Sequence, residues 1–117
     1  MQDYKELHVW KKAHQFVIDL YQNTASYPKE EIYNLTTQIK RAACSIPANI
    51  AEGCGRFTQK DFASFLQNAL GSAHEVEYFL LLSRDLGYIT LNQYELLNNE
   101  ISEVKAMLIS FIKKVRL

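Results

Sequence analysis

The sequence predicts an all-α protein, a single antiparallel up-down-up-down four-helix bundle spanning residues 1–117. Three observations point there. Apolar residues recur at three- and four-residue steps over long stretches, as the 3.6-residue period of a buried helix face requires. The 4 Gly and 2 Pro are too few to punctuate a many-turned β fold. Each gap between the periodic stretches carries helix-stop or helix-start residues. A chain of this length, 48% apolar and 22% charged, has the balance of one globular domain rather than of a disordered segment.

Helix 1 is expected over about residues 7–26, with Trp10, Ala13, Val17, Leu20 and Tyr21 facing inward and Tyr27-Pro28 ending it. Helix 2 is expected over about 29–54. Pro28 suits its first turn, Glu30 and Glu31 complement the positive end of its dipole, and Ile32, Leu35, Ile39, Ala42 or Ala43, Ile46 and Ile50 form its seam. Pro47 removes one backbone bond and crowds the carbonyl of Ala43, which predicts a kink, with a break as the alternative; Gly53 and Gly55 supply the exit.

Helix 3, over about 59–86, has Thr58 as N-cap, Asp61 three residues on, and Phe57 placed to staple onto Phe62. Helix 4, over about 91–115, repeats the device with a Thr90/Gln93 capping box and Ile89 stapling onto Tyr94. Its seam reads Tyr94, Leu97, Ile101, Val104, Leu108, Phe111, Val115, an unbroken bundle-type alternation. Small residues crowd helices 2 and 3, Ala42, Ala43, Ser45 and Ala48 on one and Ala69, Gly71, Ser72 and Ala73 on the other, so these two are expected to approach closely.

Several classes lack a starting residue. No apolar run nears the roughly 20 residues of a membrane span, and the polar start MQDYKELH has no signal-peptide pattern, so a cytoplasmic protein is expected. Cys44 and Cys54, about 15 Å apart along a continuous helix, exceed the roughly 7 Å reach of a disulfide. No Glu-x-x-His occurs, and His8, His14 and His74 are scattered, so no metal and no cofactor is expected. Nucleotide and hydrolase fingerprints are missing, which points away from an enzyme. A Cys–His nucleophile is left only if Cys44 or Cys54 meets His74 across helices, against the plainer role of a small core filler.

Residues 38–56, QIKRAACSIPANIAEGCGR, carry the richest pattern. Gln38, Arg41, Ser45, Asn49, Glu52 and Arg56 recur at steps of three and four and line one helix edge. They alternate guanidinium, hydroxyl, amide and carboxylate groups instead of the Lys and Glu of a solvated face. Three readings fit the row: a hydrogen-bonded subunit interface, phosphate contact through Arg41 or Arg56, or plain surface. Net charge is zero, but Lys40, Arg41, Arg56 and Lys60 face Glu52 alone over residues 38–60, and Lys113, Lys114 and Arg116 cluster at the end. Lys40, Arg41, Arg56 and Lys60 are therefore the candidate nucleic-acid contacts, Arg41 and Arg56 forming a ladder about 22 Å long on a continuous helix. Tyrosines such as Tyr33 and Tyr78 serve base stacking only where exposed.

That segment, with Val9-Trp10-Lys11-Lys12-Ala13, Tyr27-Pro28 and Glu31 before it and Ala69-Leu70-Gly71-Ser72 and Glu75 after it, resembles the four-helix-bundle proteins encoded in intervening sequences of bacterial 23S ribosomal RNA genes. It is also similar to the accessory variability determinant of diversity-generating retroelements. The resemblance implies a homopentameric barrel of bundles, a role in nucleic-acid or ribonucleoprotein association, a nucleic-acid enzyme such as a reverse transcriptase as a further partner, and no catalysis. Gln38, Arg41, Ser45, Asn49, Glu52, Gly53 and Arg56 match the motif, and Glu75 joins the stripe as a candidate oligomer-interface residue. Cys54 stands where many members carry an aromatic residue. The rival expectation is a protein-interaction scaffold that binds no nucleic acid.

Overall fold

The computed structural model describes residues 2–117. Four helices make up the bundle: α1 (His8–Thr24), α2 (Leu35–Cys54), α3 (Gln59–Asp85) and α4 (Leu91–Val115). Two 3-10 turns, Tyr4–Glu6 and Lys29–Glu31, precede α1 and α2. Each helix packs on its sequence neighbours and α4 closes on α1, while the backbones of the diagonal pairs stay more than 8 Å apart among the described residues. Short connections force consecutive helices antiparallel, and the 43 Å long axis is close to the roughly 38 Å of a 25-residue helix.

The caps form from side chains close in sequence. Thr58 Oγ1 accepts the Asp61 N–H at 3.1 Å, and Thr90 and Gln93 close a reciprocal box at 3.1 and 2.8 Å. Gly87 at φ +76° ends α3, with Tyr88 N–H donating to the Ser83 carbonyl, a left-handed turn that favours glycine. Phe16, Leu20, Ile39, Ile46, Ile50, Leu66, Leu80, Leu97, Ile101 and Leu108 fill the core.

Helix 2 begins later than the sequence suggests. Pro28 introduces a 3-10 turn, not the first turn of α2, and Ile32 stays 46% exposed outside the seam. The reason is Glu31. Its Oε1 accepts the Leu35 N–H at 3.3 Å and its Oε2 accepts the Tyr88 hydroxyl at 2.8 Å, fixing the linker to the α3–α4 turn before the helix starts. Helix 1 stops at Thr24, whose hydroxyl turns back onto the Tyr21 carbonyl.

Pro47 lies buried inside an unbroken α2, so the chain does not break there. Gly53 belongs to the packing, not to the exit: an added Cβ would lie 2.9 Å from Phe65 Cβ and 3.0 Å from Phe62 Cδ1. Phe57 does not staple; it is 90% exposed, and Phe62 packs edge-on against Phe111 at 5.6 Å. Trp10 and Val17 are only partly buried, and Tyr21 is 45% exposed. In α4 the interior passes from Phe111 to Ile112, because a straight helix drifts against a strict 3.5-residue repeat.

Candidate nucleic-acid interface

The polar row of α2 meets a matching row on α3. Ser45 Oγ lies 2.8 Å from Ser72 Oγ, and Asn49 Nδ2 donates to Ser45 O at 2.8 Å and to Ser45 Oγ at 2.9 Å. Because the helices are antiparallel, this contact sets their register: Asn49 comes beside Asn68, and Arg41 beside the turn that holds Glu75. Ser45, Asn49, Gln67, Asn68, Ser72 and Glu75 line a polar cleft of about 460 Å³, with Gly71 leaving its edge open. Hydroxyl, amide and carboxylate groups there suit hydrogen bonding to another surface; the cleft offers no cation for phosphate.

The cations divide into engaged and free. Lys40 Nζ sits 4.6 Å from the Tyr21 ring centroid, a cation–π contact, and Tyr21 in turn places its hydroxyl 3.5 Å from Cys44 Sγ. Arg56 lies beyond the end of α2, so no continuous helical ladder joins it to Arg41. Its guanidinium pairs with Glu52 at 3.3 Å and lies over the Phe65 ring at 4.5 Å. Arg41 and Gln38 are exposed, and Arg41 has no ion-pair partner among the described residues, Glu75 included.

Lys60, exposed near the start of α3, shares a hollow of about 680 Å³ with Lys114 and Arg116 from the end of α4. No Asp or Glu lines it, and none of the three cations forms a salt bridge among the described residues.

A profile of the 23S rRNA-intervening sequence protein family matches residues 5–110. The chain belongs to this family. Among solved structures, a protein of unknown function from the S23 ribosomal protein family of Bacteroides thetaiotaomicron is similar at 35% identity and TM-score 0.83, with 90% of this chain and 95% of that one covered. Comparison with curated proteins gives no match. For this 23S rRNA-intervening sequence family member the four-helix fold is thus shared along almost the whole chain.

Reading the sequence alone missed Gln67 and Asn68. Their spacing from Gly71, Ser72 and Glu75 repeats the three-and-four step of the α2 row, a signal that two polar edges face each other. His74 lines the α3–α4 side, whereas Cys44 contacts Tyr21 of α1 and Cys54 is buried. Burial raises the Cys54 thiol above its ordinary range, which disfavours the nucleophilic thiolate. Among the described residues no helix is long and apolar enough to cross a membrane.

Proposed function

We propose that this chain is a non-catalytic, oligomeric accessory protein that associates with nucleic acid or a ribonucleoprotein. The observation that carries the reading is the set of exposed cations without carboxylate partners, Arg41 on α2 and the Lys60, Lys114 and Arg116 pole. Membership of a family named for 23S rRNA intervening sequences adds support. Phosphate contact through such groups is sequence-independent and salt-sensitive. Lys40 and Arg56 have weaker claims, since Tyr21 and the Glu52–Phe65 pair already engage them.

The polar cleft of Ser45, Asn49, Ser72 and Glu75 is proposed as the surface that joins copies, five being the number that the family resemblance implies. Exposed Arg41 and Glu75 on one edge offer complementary charges to a neighbour. Repetition of a weak cationic pole around a ring multiplies its avidity. A nucleic-acid enzyme such as a reverse transcriptase is the protein partner this reading places beside the ring.

Nucleic-acid titration at several salt concentrations tests the proposal. Replacing Lys60 with Ala is expected to weaken RNA binding irrespective of sequence and to lower the salt slope by about one. If the wild-type oligomer binds neither RNA nor DNA at about 50 mM salt, where electrostatic attraction is strong, phosphate recognition fails. The scaffold reading then replaces it, favoured by a cleft that offers hydrogen-bonding groups and no cation and by the pairing of Arg56 with Glu52.

A further inference from the structure

A groove runs along the outside of the bundle between α3 and α4, starting at the basic pole. Leu70, Ile109 and Ile112 form its floor, and Lys113, Lys114 and Arg116 stand at its rim. It is an open trough of about 1100 Å³ and not an enclosed cavity, so it suits an occupant that lies along the surface. On α3 the groove runs from Gln67 to His74, about 10 Å or two helical turns, and with the adjoining hollow at Lys60 the span reaches about 21 Å. No Asp or Glu lines the groove or the adjoining hollows at Lys60 and at Leu7–Val9, and Lys114 borders all three.

Gly71 opens the middle of the groove. It sits inside α3, where glycine is less favourable than alanine, and an added Cβ there would meet nothing within 4 Å. No close helix contact explains this glycine. Its effect is a notch beside Leu70 and Ile109 into which an approaching chain can settle.

We propose that the α3–α4 groove is a docking site for an acidic amphipathic helix of a partner protein. Aliphatic floor and cationic rim match a helix with Leu-like residues on one face and carboxylates flanking them. Nucleic acid fits less well. The groove and the Lys60 hollow contain no Phe, Tyr or Trp on which bases stack, and an aliphatic floor gives phosphate nothing. The inference shares Lys114 and Arg116 with the nucleic-acid reading and goes beyond it through the aliphatic floor and the notch.

Fluorescence anisotropy on the full chain tests it with a labelled peptide of about 15 residues, Leu at helical i, i+3, i+4, i+7 spacing and Glu elsewhere. Controls are the scrambled isomer, an all-Glu peptide and an oligouridine. The amphipathic peptide is expected to bind about tenfold or more tightly than either peptide control. Ile109→Gln, on the exposed groove floor and away from the polar cleft, is expected to keep the helical fold by circular dichroism, weaken the peptide about tenfold or more, and leave oligouridine binding unchanged. Equal binding of the scrambled or all-Glu peptide overturns the proposal in favour of unspecific charge attraction. Loss of oligouridine together with the peptide in Ile109→Gln assigns the groove to nucleic acid, and a changed sedimentation coefficient assigns it to a second copy; either overturns the proposal.

Discussion

Glu100 on α4 faces Asp19 on α1 as a carboxyl–carboxyl pair across the seam that closes the bundle. Burial, and then a hydrogen bond with Asp19, push the Glu100 carboxyl up to about 7; the Asp19 and Glu103 charges raise it further, against the opposing Lys12. Lys12 is shared, pairing with Glu103 at 3.2 Å, and Gln15 donates to Asp19 Oδ1 at 3.0 Å. With both carboxyls ionised, buried Glu100 Oε2 has no donor. A single shared proton supplies one.

The sign of the pH dependence follows from this. Because the folded value lies above the ordinary 4.5, the folded state binds the extra proton between those limits, and stability falls as pH rises from about 4.5 through 7. The full shift corresponds to roughly 3 kcal/mol, which partial solvent screening reduces to about 1 kcal/mol. Glu100→Gln is expected to flatten the thermal midpoint against pH and to raise it by about 4 °C at pH 8, as followed by circular dichroism. An unchanged profile would show that the pair is not linked to folding.

Gly53 and Gly71 should respond oppositely to the same substitution. Gly53→Ala forces a Cβ against Phe65 and Phe62 and is expected to cost about 1–3 kcal/mol in urea unfolding. Gly71→Ala meets open space and is expected to gain about 0.5–1 kcal/mol. Two changes of the same sign would contradict the close approach of α2 and α3.

A double-mutant cycle on Ser45→Ala and Ser72→Ala measures the hydroxyl contact that sets the α2–α3 register. A coupling of about 0.5–1 kcal/mol is expected for a part-buried neutral pair, with Ser45→Ala the costlier single change because Asn49 also loses an acceptor. Additive single effects would remove the register contact from the account.

Arg56 and Lys60 are close in sequence and differ in engagement. Arg56→Ala is expected to lower stability by less than about 1 kcal/mol, through the exposed Glu52 pair and the Phe65 contact, and to leave the salt slope of RNA binding unchanged. Lys60→Ala should do the reverse. Equal slopes for both variants would mean that Arg56 leaves Glu52 to reach phosphate.

By itself the sequence determined the all-α class, four helices, their caps at Thr58 and Thr90, most of the core and the family resemblance, because period and capping are local properties carried by residues within a turn of one another. Only the tertiary structure decided which residues meet across helices. Periodicity places Ser45 on an edge but not opposite Ser72, and it does not bring the Phe65 ring under the Arg56 guanidinium. The delayed start of α2 came from Glu31 reaching Tyr88, a partner 57 residues away. Nothing local in the sequence sets Glu100 apart from a surface carboxylate; the packing of α1 beside α4 brings Asp19 to it. These features depend on register and on the sharing of space between distant segments, which the packing of the whole bundle settles.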